Sequence, residues 1–403
     1  MESLESNVNS EKMKILIASD AYKKQTNGVT NMVVMLAEEL RRRGYPVKVL
    51  ALSDTHSFVR DGDDYYVPSF SSPVYPDARQ SAVVHSRFLR ELKQWNPDII
   101  HIHTEFSASR LAKQVAHANH TPYVMTSHTD YGKFIQPKLH SRRLIRRLIR
   151  FWSYFAYHNA KVLTVPSEKG RSITNGYRLN CPVVVIPNGI RLEQFQRELS
   201  PEDRAALFAQ YGLRDNGKLL VALSRLSPEK NLEEIVGYMP ALLEEEPDVQ
   251  LMIVGDGPDR THLEAQARKL GLLGSSVVFT GRVPPEEVYR YYRMGSLFVC
   301  ASNFEVHSLT YLEAMTCALP LLCREDPCLE GVLEEGENGF SYRTEREFID
   351  HALNILRDDT LRQALSAGAV AKSDEFSVQR YVDRTLALYE KVLNENRSCA
   401  GAS

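Results

Sequence analysis

The sequence contains few cysteines, no long apolar run and almost no net charge. Nowhere do about 18 apolar residues follow one another, which predicts that no segment spans a membrane. Residues 1–12 are polar and acidic, so we expect a flexible start without the apolar core of a secretion signal. The formal net charge of −2 gives no overall reason to expect a nucleic-acid partner, and attraction to an anionic surface would have to come from a local patch.

The six cysteines show neither a Cys-x-x-Cys pair nor a regular spacing. Most lie in apolar stretches, which favours buried free thiols in a reducing cytoplasm over disulfides or a zinc site. His101 and His103 alternate along an apolar stretch and would share one face of a strand. Because the sequence indicates no third ligand, we interpret these two histidines as structural rather than metal-binding.

Short apolar stretches alternate with helix-like stretches in two series along the 403 residues, 43% of which are hydrophobic. The first series runs from residues 13–19 to 182–189 and the second from 219–223 to 319–323, separated by a polar stretch at 201–217. This alternation predicts an α/β fold with two Rossmann-like, doubly wound parallel sheets, each with its own core. Ligands of such sheets bind at the carboxyl ends of the strands, so we expect the site in the cleft between the domains.

The most informative segment is 300–315, where an apolar strand gives way to a helix and two glutamates stand eight positions apart. Glu305 would lie in the loop and Glu313 in the helix, where their carboxylates can accept hydrogen bonds from a hexose and a ribose respectively. The backbone N–H groups of residues 308–310, at the start of the helix, would favour a diphosphate. Two glutamates at this spacing also occur by chance on solvated helices, so the segment needs support from its surroundings.

Two cations, Arg225 and Lys230, follow the predicted strand 219–223. A planar guanidinium and a compact ammonium at a strand end would suit a leaving diphosphate, because both stabilise the charge that grows as a glycosidic bond breaks. The alternative is an ordinary cluster of surface charges.

Glycines after two strands could let the backbone approach a phosphate. Gly255 and Gly257 form a Gly-x-Gly turn, but Arg260 stands where a dinucleotide fingerprint needs a third small residue, so the pattern is a poor match to an NAD site. Gly28 lies between the first strand and a helix predicted to begin near Asn31. It would either bring N–H groups to a phosphate or serve as a plain turn residue.

Polar residues also follow strands of the first domain. His128 could donate a hydrogen bond to a bound sugar or diphosphate or help to position an acceptor, although a lone histidine is more often structural. Asp130 and Glu105 are assigned to the acceptor side, and an Asx turn explains Asp130 equally well.

Residues 141–155 predict a basic amphipathic helix. Its polar arc carries the five arginines Arg142, Arg143, Arg146, Arg147 and Arg150, and its apolar arc carries Leu144, Ile145, Leu148, Ile149, Phe151 and Trp152. Arginines opposite aromatic residues suit the interface of an anionic membrane. The alternative is a domain helix that buries its apolar side in the core and leaves its arginines in solvent.

These motifs and their order resemble the retaining family 4 glycosyltransferases. Residues 305–313 are similar to the family's E-x7-E signature, residues 255–258 to its G-x-G-P turn, and Arg225 with Lys230 to its phosphate-binding pair. The stretches 103–107, 127–129 and 324–332 look like the H-T-E-F-S, H-T and D-P-C-L-x-G-V stretches of the bacterial 1,2-diacylglycerol 3-glucosyltransferase group. The similarity covers about residues 13–395.

The resemblance implies a GT-B fold. It predicts an acceptor-binding and membrane-facing domain at 13–195, a donor-binding domain at 196–375, a helix at 376–395 that crosses back to the first domain, and a flexible tail at 396–403.

The resemblance also implies retaining transfer of a hexose, glucose, from a UDP-sugar to diacylglycerol, by an enzyme on the cytoplasmic face of the cell membrane. Glu305 would bind the sugar, Glu313 the ribose, and Arg225 with Lys230 the diphosphate, so that no metal cofactor is required. The predicted donor-binding residues are Gly28, Gly255, Gly257, Arg282, Val283, His307, Ser308, Leu309, Thr310 and Glu313, with the backbone of residues 280–284 beside the base. No side chain stands out as a nucleophile, and front-face transfer is the mechanism that the family favours.

Three residues depart from the family pattern. Ser308 and Ala318 stand where glycine is usual, and Asn27 replaces the first residue of a common double glycine. Ser308 would tighten the space beside the sugar and alter donor choice. Two other functions stay open: a family 4 enzyme with a soluble or polysaccharide acceptor, and a non-catalytic sugar-nucleotide sensor or membrane scaffold.

Overall fold

The computed structural model describes residues 12–23, 28–71, 79–130, 141–216, 218–302 and 304–401. These residues form two compact units. The first contains the described residues up to 166, residues 170–186 and the chain from 381 onward, and the second contains residues 167–169 and 187–380.

The first unit is built on an eight-stranded sheet. Its chain contains β1 (Ile15–Ser19), β2 (Val47–Leu52), β3 (Val59–Asp61), β4 (Asp64–Val67), β5 (Phe70–Ser71), β6 (Arg79–Gln80), β7 (Ile99–Ile102), β8 (Tyr123–Thr126), β9 (Val162–Val165) and β10 (Val183–Val185). The sheet order is β10-β9-β8-β7-β1-β2-β4-β3, with only β3 antiparallel to its neighbour, while β5 and β6 form a separate pair. Every residue of β1, β7, β8 and β9 is buried, as expected for parallel strands covered on both faces.

The helices of the first unit complete its core. They are α1 (Gly28–Arg42), α2 (Arg87–Trp95), α3 (Ser107–Asn119), α4 (Arg142–Ala156), α5 (Glu168–Thr174), whose first two residues belong to the second unit, and the C-terminal α14 (Val378–Gly401). Leu92, Ala112 and Ile149, from α2, α3 and α4, pack in one apolar cluster on the sheet. The chain of α14 lies with this unit from Tyr381 onward, where the Tyr389 hydroxyl is 2.6 Å from His101 Nδ1.

The second unit is built on a six-stranded, fully parallel sheet. Its strands are β11 (Leu219–Leu223), β12 (Gln250–Val254), β13 (Val277–Gly281), β14 (Leu297–Cys300), β15 (Leu321–Arg324) and β16 (Gly339–Tyr342). Its helices are α6 (Leu192–Phe195), α7 (Pro201–Gln210), α8 (Leu232–Glu245), α9 (Arg260–Lys269), α10 (Val288–Met294), α11 (Leu309–Thr316), α12 (Glu345–Arg357) and α13 (Asp359–Ser373). The sheet order is β13-β12-β11-β14-β15-β16, with a separate apolar cluster on each face.

The predicted α/β fold with two parallel sheets is confirmed. Residues 187–195, which the sequence-based limits give to the first domain, lie with the second unit. The reason is local pairing: the Ile190 N–H donates to the Phe376 carbonyl at 2.7 Å, and the Val378 N–H donates to the Ile190 carbonyl at 2.9 Å.

Candidate functional site

Three loops at the carboxyl ends of β11, β12 and β13 are joined by backbone hydrogen bonds. The Leu226 N–H donates to the Asp256 carbonyl, and the Gly255 N–H donates to the Gly281 carbonyl, each at 3.1 Å. The first loop carries Arg225, which is exposed. These hydrogen bonds hold the backbones of the three loops together at the carboxyl ends of the strands, which is where ligands of such folds bind.

The two glycines of the Gly-x-Gly turn are required by close packing of backbone on backbone. A Cβ on Gly255, which has φ +130°, would lie 2.0 Å from the Ser224 carbonyl oxygen, and a Cβ on Gly257 would lie 2.1 Å from that of Leu226. Non-bonded atoms do not approach so closely. Ser224 and Leu226, the neighbours of Arg225, can therefore pack against positions 255 and 257 only if both are glycine. The Gly-x-Gly turn therefore shapes the loop that carries Arg225. This packing requires glycine at both positions whether or not a phosphate binds there.

Lys230 and Glu305 form an ion pair. Lys230 ends a 3-10 turn at 228–230 after β11, Glu305 lies in the loop after β14, and the lysine Nζ donates to Glu305 Oε1. Burial by itself would lower the pKa of Lys230, but the neighbouring carboxylate outweighs it, and the pKa is raised. An ammonium group has three N–H donors, so the bond to Glu305 uses only part of its capacity.

Glu313 lies inside α11 and is held by a tyrosine of α10. The hydroxyl of the fully buried Tyr292 donates to Glu313 Oε2 at 2.8 Å. Burial raises the pKa of Glu313 to about 7, and the hydrogen bond from Tyr292 opposes that rise. Sequence reasoning missed Tyr292, because a tyrosine just ahead of a buried strand is not a specific signal.

The start of α11 carries three of the predicted donor-binding residues, Ser308, Leu309 and Thr310. Ser308 is the N-cap residue, with φ −78° and its Oγ 2.9 Å from Thr310 Oγ1, and Leu309 is the first helical residue. The first backbone N–H groups of a helix lack partners within it, which is the property that attracts anions. Ala318, just beyond the end of this helix, has φ +61°.

His307 is buried beside this helix start. Neither of its ring nitrogens has a hydrogen-bond partner among the described residues, and burial lowers its pKa to about 4. Its ring lies 5.7 Å from that of Phe376 between centroids, and its carbonyl accepts a 3.2 Å hydrogen bond from Asn188. Arg282 is exposed in the loop after β13, and Val283 packs against the apolar cluster of that face.

A buried ion pair that the sequence did not predict holds the Asp-Pro-Cys-Leu stretch at residues 326–329 in place. Lys169 Nζ donates to both carboxylate oxygens of Asp326, at 2.6 and 2.7 Å, and the two side chains are only 10% and 9% exposed. Asp326 Oδ1 also accepts the Cys328 N–H at 2.8 Å. The resemblance pointed to the stretch that contains Asp326, but nothing in the sequence indicated its partner 157 positions earlier.

The predicted first-unit residues lie near strand ends. His128 Nε2 is 3.2 Å from His103 Nδ1, and Glu105 Oε1 accepts a 2.7 Å hydrogen bond from the Tyr157 hydroxyl. Asp130 is buried. Gly28 is the first residue of α1, so this helix begins three residues before the predicted start, and Asn27 lies outside the described residues.

The apolar arc of α4 is divided between core and solvent. Ile145 and Ile149 are buried and Trp152 is half-buried, as a domain helix requires. Four other large apolar side chains of α4 are exposed: Leu144 by 44%, Leu148 by 42%, Phe151 by 67% and Phe155 by 59%. These last four residues follow a 4-3-4 spacing, which places them along one line of the helix.

The arginines of α4 flank this exposed apolar line. Arg143, Arg146, Arg147 and Arg150 are exposed and line one shallow surface depression, while the side chain of Arg142 lies outside the described part of the structure. The helix is therefore both anchored in the core and left with an apolar and cationic outer surface.

The described residues contain no group of three or more His, Cys, Asp or Glu side chains placed to hold a metal ion. Within the same ranges, every helix is too short or too polar to span a bilayer. The five cysteines whose side chains are described are free thiols.

Two family models match the chain. The model described as Glycosyltransferase Family 4 matches residues 26–194, and the model described as Glycosyl transferases group 1 matches residues 203–371. The chain is 30% identical to the Alpha-monoglucosyldiacylglycerol synthase of Streptococcus pneumoniae (strain ATCC BAA-255 / R6), over 85% of this chain and 78% of that protein. It is 27% identical to the protein of the same name from Acholeplasma laidlawii, over 95% of this chain and 98% of that protein.

Solved structures show the same fold at lower identity. HepE from Anabaena, in complex with UDP and glucose, has a TM-score of 0.71 and 19% identity, over 94% of this chain and 100% of that one. WaaG, a glycosyltransferase involved in lipopolysaccharide biosynthesis, has a TM-score of 0.67 and 16% identity, over 93% of this chain and 99% of that one. The resemblance found in the sequence is confirmed, and the chain belongs to glycosyltransferase family 4 and has the GT-B fold.

Proposed function

We propose that the protein is a retaining hexosyltransferase that moves glucose from UDP-glucose to the hydroxyl of diacylglycerol in a membrane. The observation that carries the proposal is the pairing of Lys230 with Glu305 in the unit where Tyr292 holds Glu313. A cation, an acceptor for sugar hydroxyls and an acceptor for ribose hydroxyls are the groups that a sugar nucleotide requires. They lie on loops and helices that follow β11 and β14, two neighbouring strands of the second-unit sheet.

In the proposed site each group has a separate role. Glu305 accepts hydrogen bonds from the hexose, and Glu313 accepts them from the ribose. Arg225 and Lys230 neutralise the diphosphate, together with the backbone N–H groups at the start of α11. Gly255 and Gly257 contribute indirectly, because they allow the backbone around Arg225 to take its position.

The proposed reaction breaks the bond between the anomeric carbon and the UDP oxygen. The electron pair of that bond leaves with UDP, where the two cations stabilise the growing charge. The acceptor hydroxyl attacks from the same face, and its proton passes to a phosphate oxygen of the departing UDP. Such a path requires no protein nucleophile and keeps the anomeric configuration.

The proposed acceptor is a lipid, and the proposed location is peripheral, on the cytoplasmic face of the cell membrane. Support comes from α4, where Phe151 and Phe155 stay exposed beside a row of arginines. Apolar side chains flanked by arginines suit insertion at an anionic bilayer surface. The names of the Streptococcus and Acholeplasma relatives also point to a glucosylated diacylglycerol.

A vesicle assay tests the proposal. The protein is incubated with UDP-glucose and anionic vesicles that contain diacylglycerol, and both UDP release and glycolipid are measured. We expect glycolipid from the unaltered protein and its loss in Glu305→Gln, while Glu286→Gln, at an exposed glutamate of the turn 285–287, retains activity.

Other results would point to the alternatives. UDP release with a soluble acceptor but no glycolipid would exclude the lipid acceptor and favour an enzyme of polysaccharide or small-molecule synthesis. Binding of UDP-glucose without turnover of any acceptor would favour a non-catalytic sensor or scaffold.

A further inference from the structure

Three histidines lie side by side at the carboxyl ends of β7 and β8. The ring centroids of His101 and His103 are 4.0 Å apart, and those of His103 and His128 are 5.5 Å apart with the rings stacked. Burial lowers the pKa of His101 to about 3 and that of His128 to about 4, and it also lowers the pKa of His103. All three rings are therefore neutral near pH 7, and each carries a single N–H.

Both ring nitrogens of His101 have partners of their own. Its Nε2 lies 2.7 Å from the Thr126 hydroxyl, and its Nδ1 lies 2.6 Å from the Tyr389 hydroxyl. His101 is thus fully engaged and takes no part in the contact between His103 and His128.

The proton on His103 is fixed by burial. Its Nε2 is buried and has no hydrogen-bond partner among the described residues, whereas its Nδ1 lies 3.2 Å from His128 Nε2. A buried N–H without an acceptor is costlier and rarer than a buried lone pair without a donor. The proton of His103 is therefore on Nδ1 and points at His128 Nε2. His128, which accepts there, carries its own proton on Nδ1.

We infer that His103 is a positioning residue that fixes His128 in the Nδ1–H form, so that His128 donates a hydrogen bond to the substrate and does not act as a base. The role rests on the proposed function and on the sequence-based hypothesis that His128 donates a hydrogen bond to a bound sugar or diphosphate or helps to position the acceptor. A ring whose Nε2 already accepts from His103 offers an approaching hydroxyl a donor but no lone pair. The assignment agrees with proton transfer to the departing phosphate, because the histidine cannot receive that proton.

The first test reads the tautomer directly. Nuclear magnetic resonance of the full-length protein with 15N-labelled histidine distinguishes protonated from bare ring nitrogens, and a His128→Gln variant assigns the His128 signals. We expect a protonated Nδ1 and a bare Nε2. A protonated Nε2 on His128 would overturn the inference whether or not the protein transfers glucose, so the outcome is independent of the proposed function.

The second test asks whether the tautomer matters for turnover. In His103→Asn the amide nitrogen can take the place of Nδ1 and donate to His128, whereas in His103→Gln the amide lies nearer the position of Nε2, and His103→Leu has no donor. We expect kcat/KM to fall by about tenfold to a hundredfold in the Leu and Gln variants and by about threefold or less in the Asn variant, at matched melting temperatures. Equal losses in all three variants, or no loss in His103→Leu, would overturn the positioning role.

Discussion

At the scale of single residues, Ala318 stores strain that the family pattern avoids. It adopts φ +61° after the end of α11, in a region that costs a residue with a Cβ about 1–2 kcal/mol. We expect Ala318→Gly to raise the free energy of unfolding by about 1 kcal/mol, since glycine enters this region freely. Urea denaturation of the two proteins under the same conditions measures the difference.

Ser308 supplies a matched control for Ala318. Both residues stand where the family has glycine, but Ser308 has φ −78°, which any residue adopts. Ser308→Gly should therefore lower the stability by a few tenths to about 1 kcal/mol, because glycine gains more freedom in the unfolded chain. A stabilisation of similar size at both positions would contradict the explanation by backbone strain.

Glu313 predicts a defined pH dependence. Burial raises its pKa from 4.5 to about 7 in the folded protein, so between these values the folded state binds more protons than the unfolded state. By linkage, the contribution of this group to stability is fully present below about pH 4.5 and is lost as the pH rises to about 7. Glu313→Gln removes the ionisation, so we expect the stability of the variant relative to the unaltered protein to increase with pH across this interval.

Melting temperatures of both proteins at about pH 5 and about pH 7.5 measure this effect. Glu286→Gln controls for the loss of one carboxylate at an exposed position. A difference between Glu313→Gln and the unaltered protein that stays the same at both pH values would show that Glu313 is not protonated on folding.

At the scale of elements, α4 should bind membranes through two separable features. Replacing Phe151 and Phe155 with serine removes exposed apolar area without opening the core, so we expect weaker binding to anionic vesicles at low and high salt alike. Replacing Arg146 and Arg147 with alanine should weaken binding by about 1 kcal/mol per arginine at low salt and much less at high salt. Vesicle co-sedimentation at two salt concentrations measures both effects.

The control for the arginine variant is Arg384→Ala, an exposed arginine on α14. Its vesicle binding should match that of the unaltered protein. Undiminished binding of the Phe151/Phe155 double variant would show that α4 does not enter the bilayer surface.

Helix α4 also shows what a sequence pattern can and cannot predict. Helical periodicity predicted which residues share a side of the helix. Two residues of the predicted apolar arc, Ile145 and Ile149, are indeed buried. It could not show how far the neighbouring elements extend over that arc, and Leu144, Leu148 and Phe151 remain exposed. The strands were easier to predict, because a parallel strand covered on both faces is apolar throughout and needs no knowledge of its partners.

At the scale of the whole molecule, the parts of the candidate site that the sequence missed are contacts between distant positions. Lys169 meets Asp326 across 157 positions, and His101 meets Tyr389 across 288. Local patterns carry no information on such pairs, whereas Glu305 and Glu313 stand on one short segment and could be proposed from their spacing. Tyr292 lies only 21 positions before Glu313 and was missed because only the packing of α10 against α11 shows which group its hydroxyl meets.

The Lys169–Asp326 pair should contribute to the stability of the second unit. Lys169→Met leaves a buried carboxylate without its cation, which costs about 3–5 kcal/mol. Adding Asp326→Asn removes that charge and keeps an oxygen for the Cys328 N–H, so we expect the double variant to recover much of the loss. Chemical denaturation of both variants measures this, and a double variant less stable than Lys169→Met would contradict the charge argument.

The division of the chain between the units has a consequence for biosynthesis. The last helix of the first unit, from Tyr381 onward, is translated only after the entire second unit, and until then His101 lacks the hydroxyl of Tyr389. A ribosome delivers the chain from its N-terminus, so the second unit can complete its fold while the first still waits for its final element. The unit whose strands are made first is therefore the unit that matures last, and a nascent chain stalled before Tyr381 would expose an unfinished first unit to chaperones and proteases.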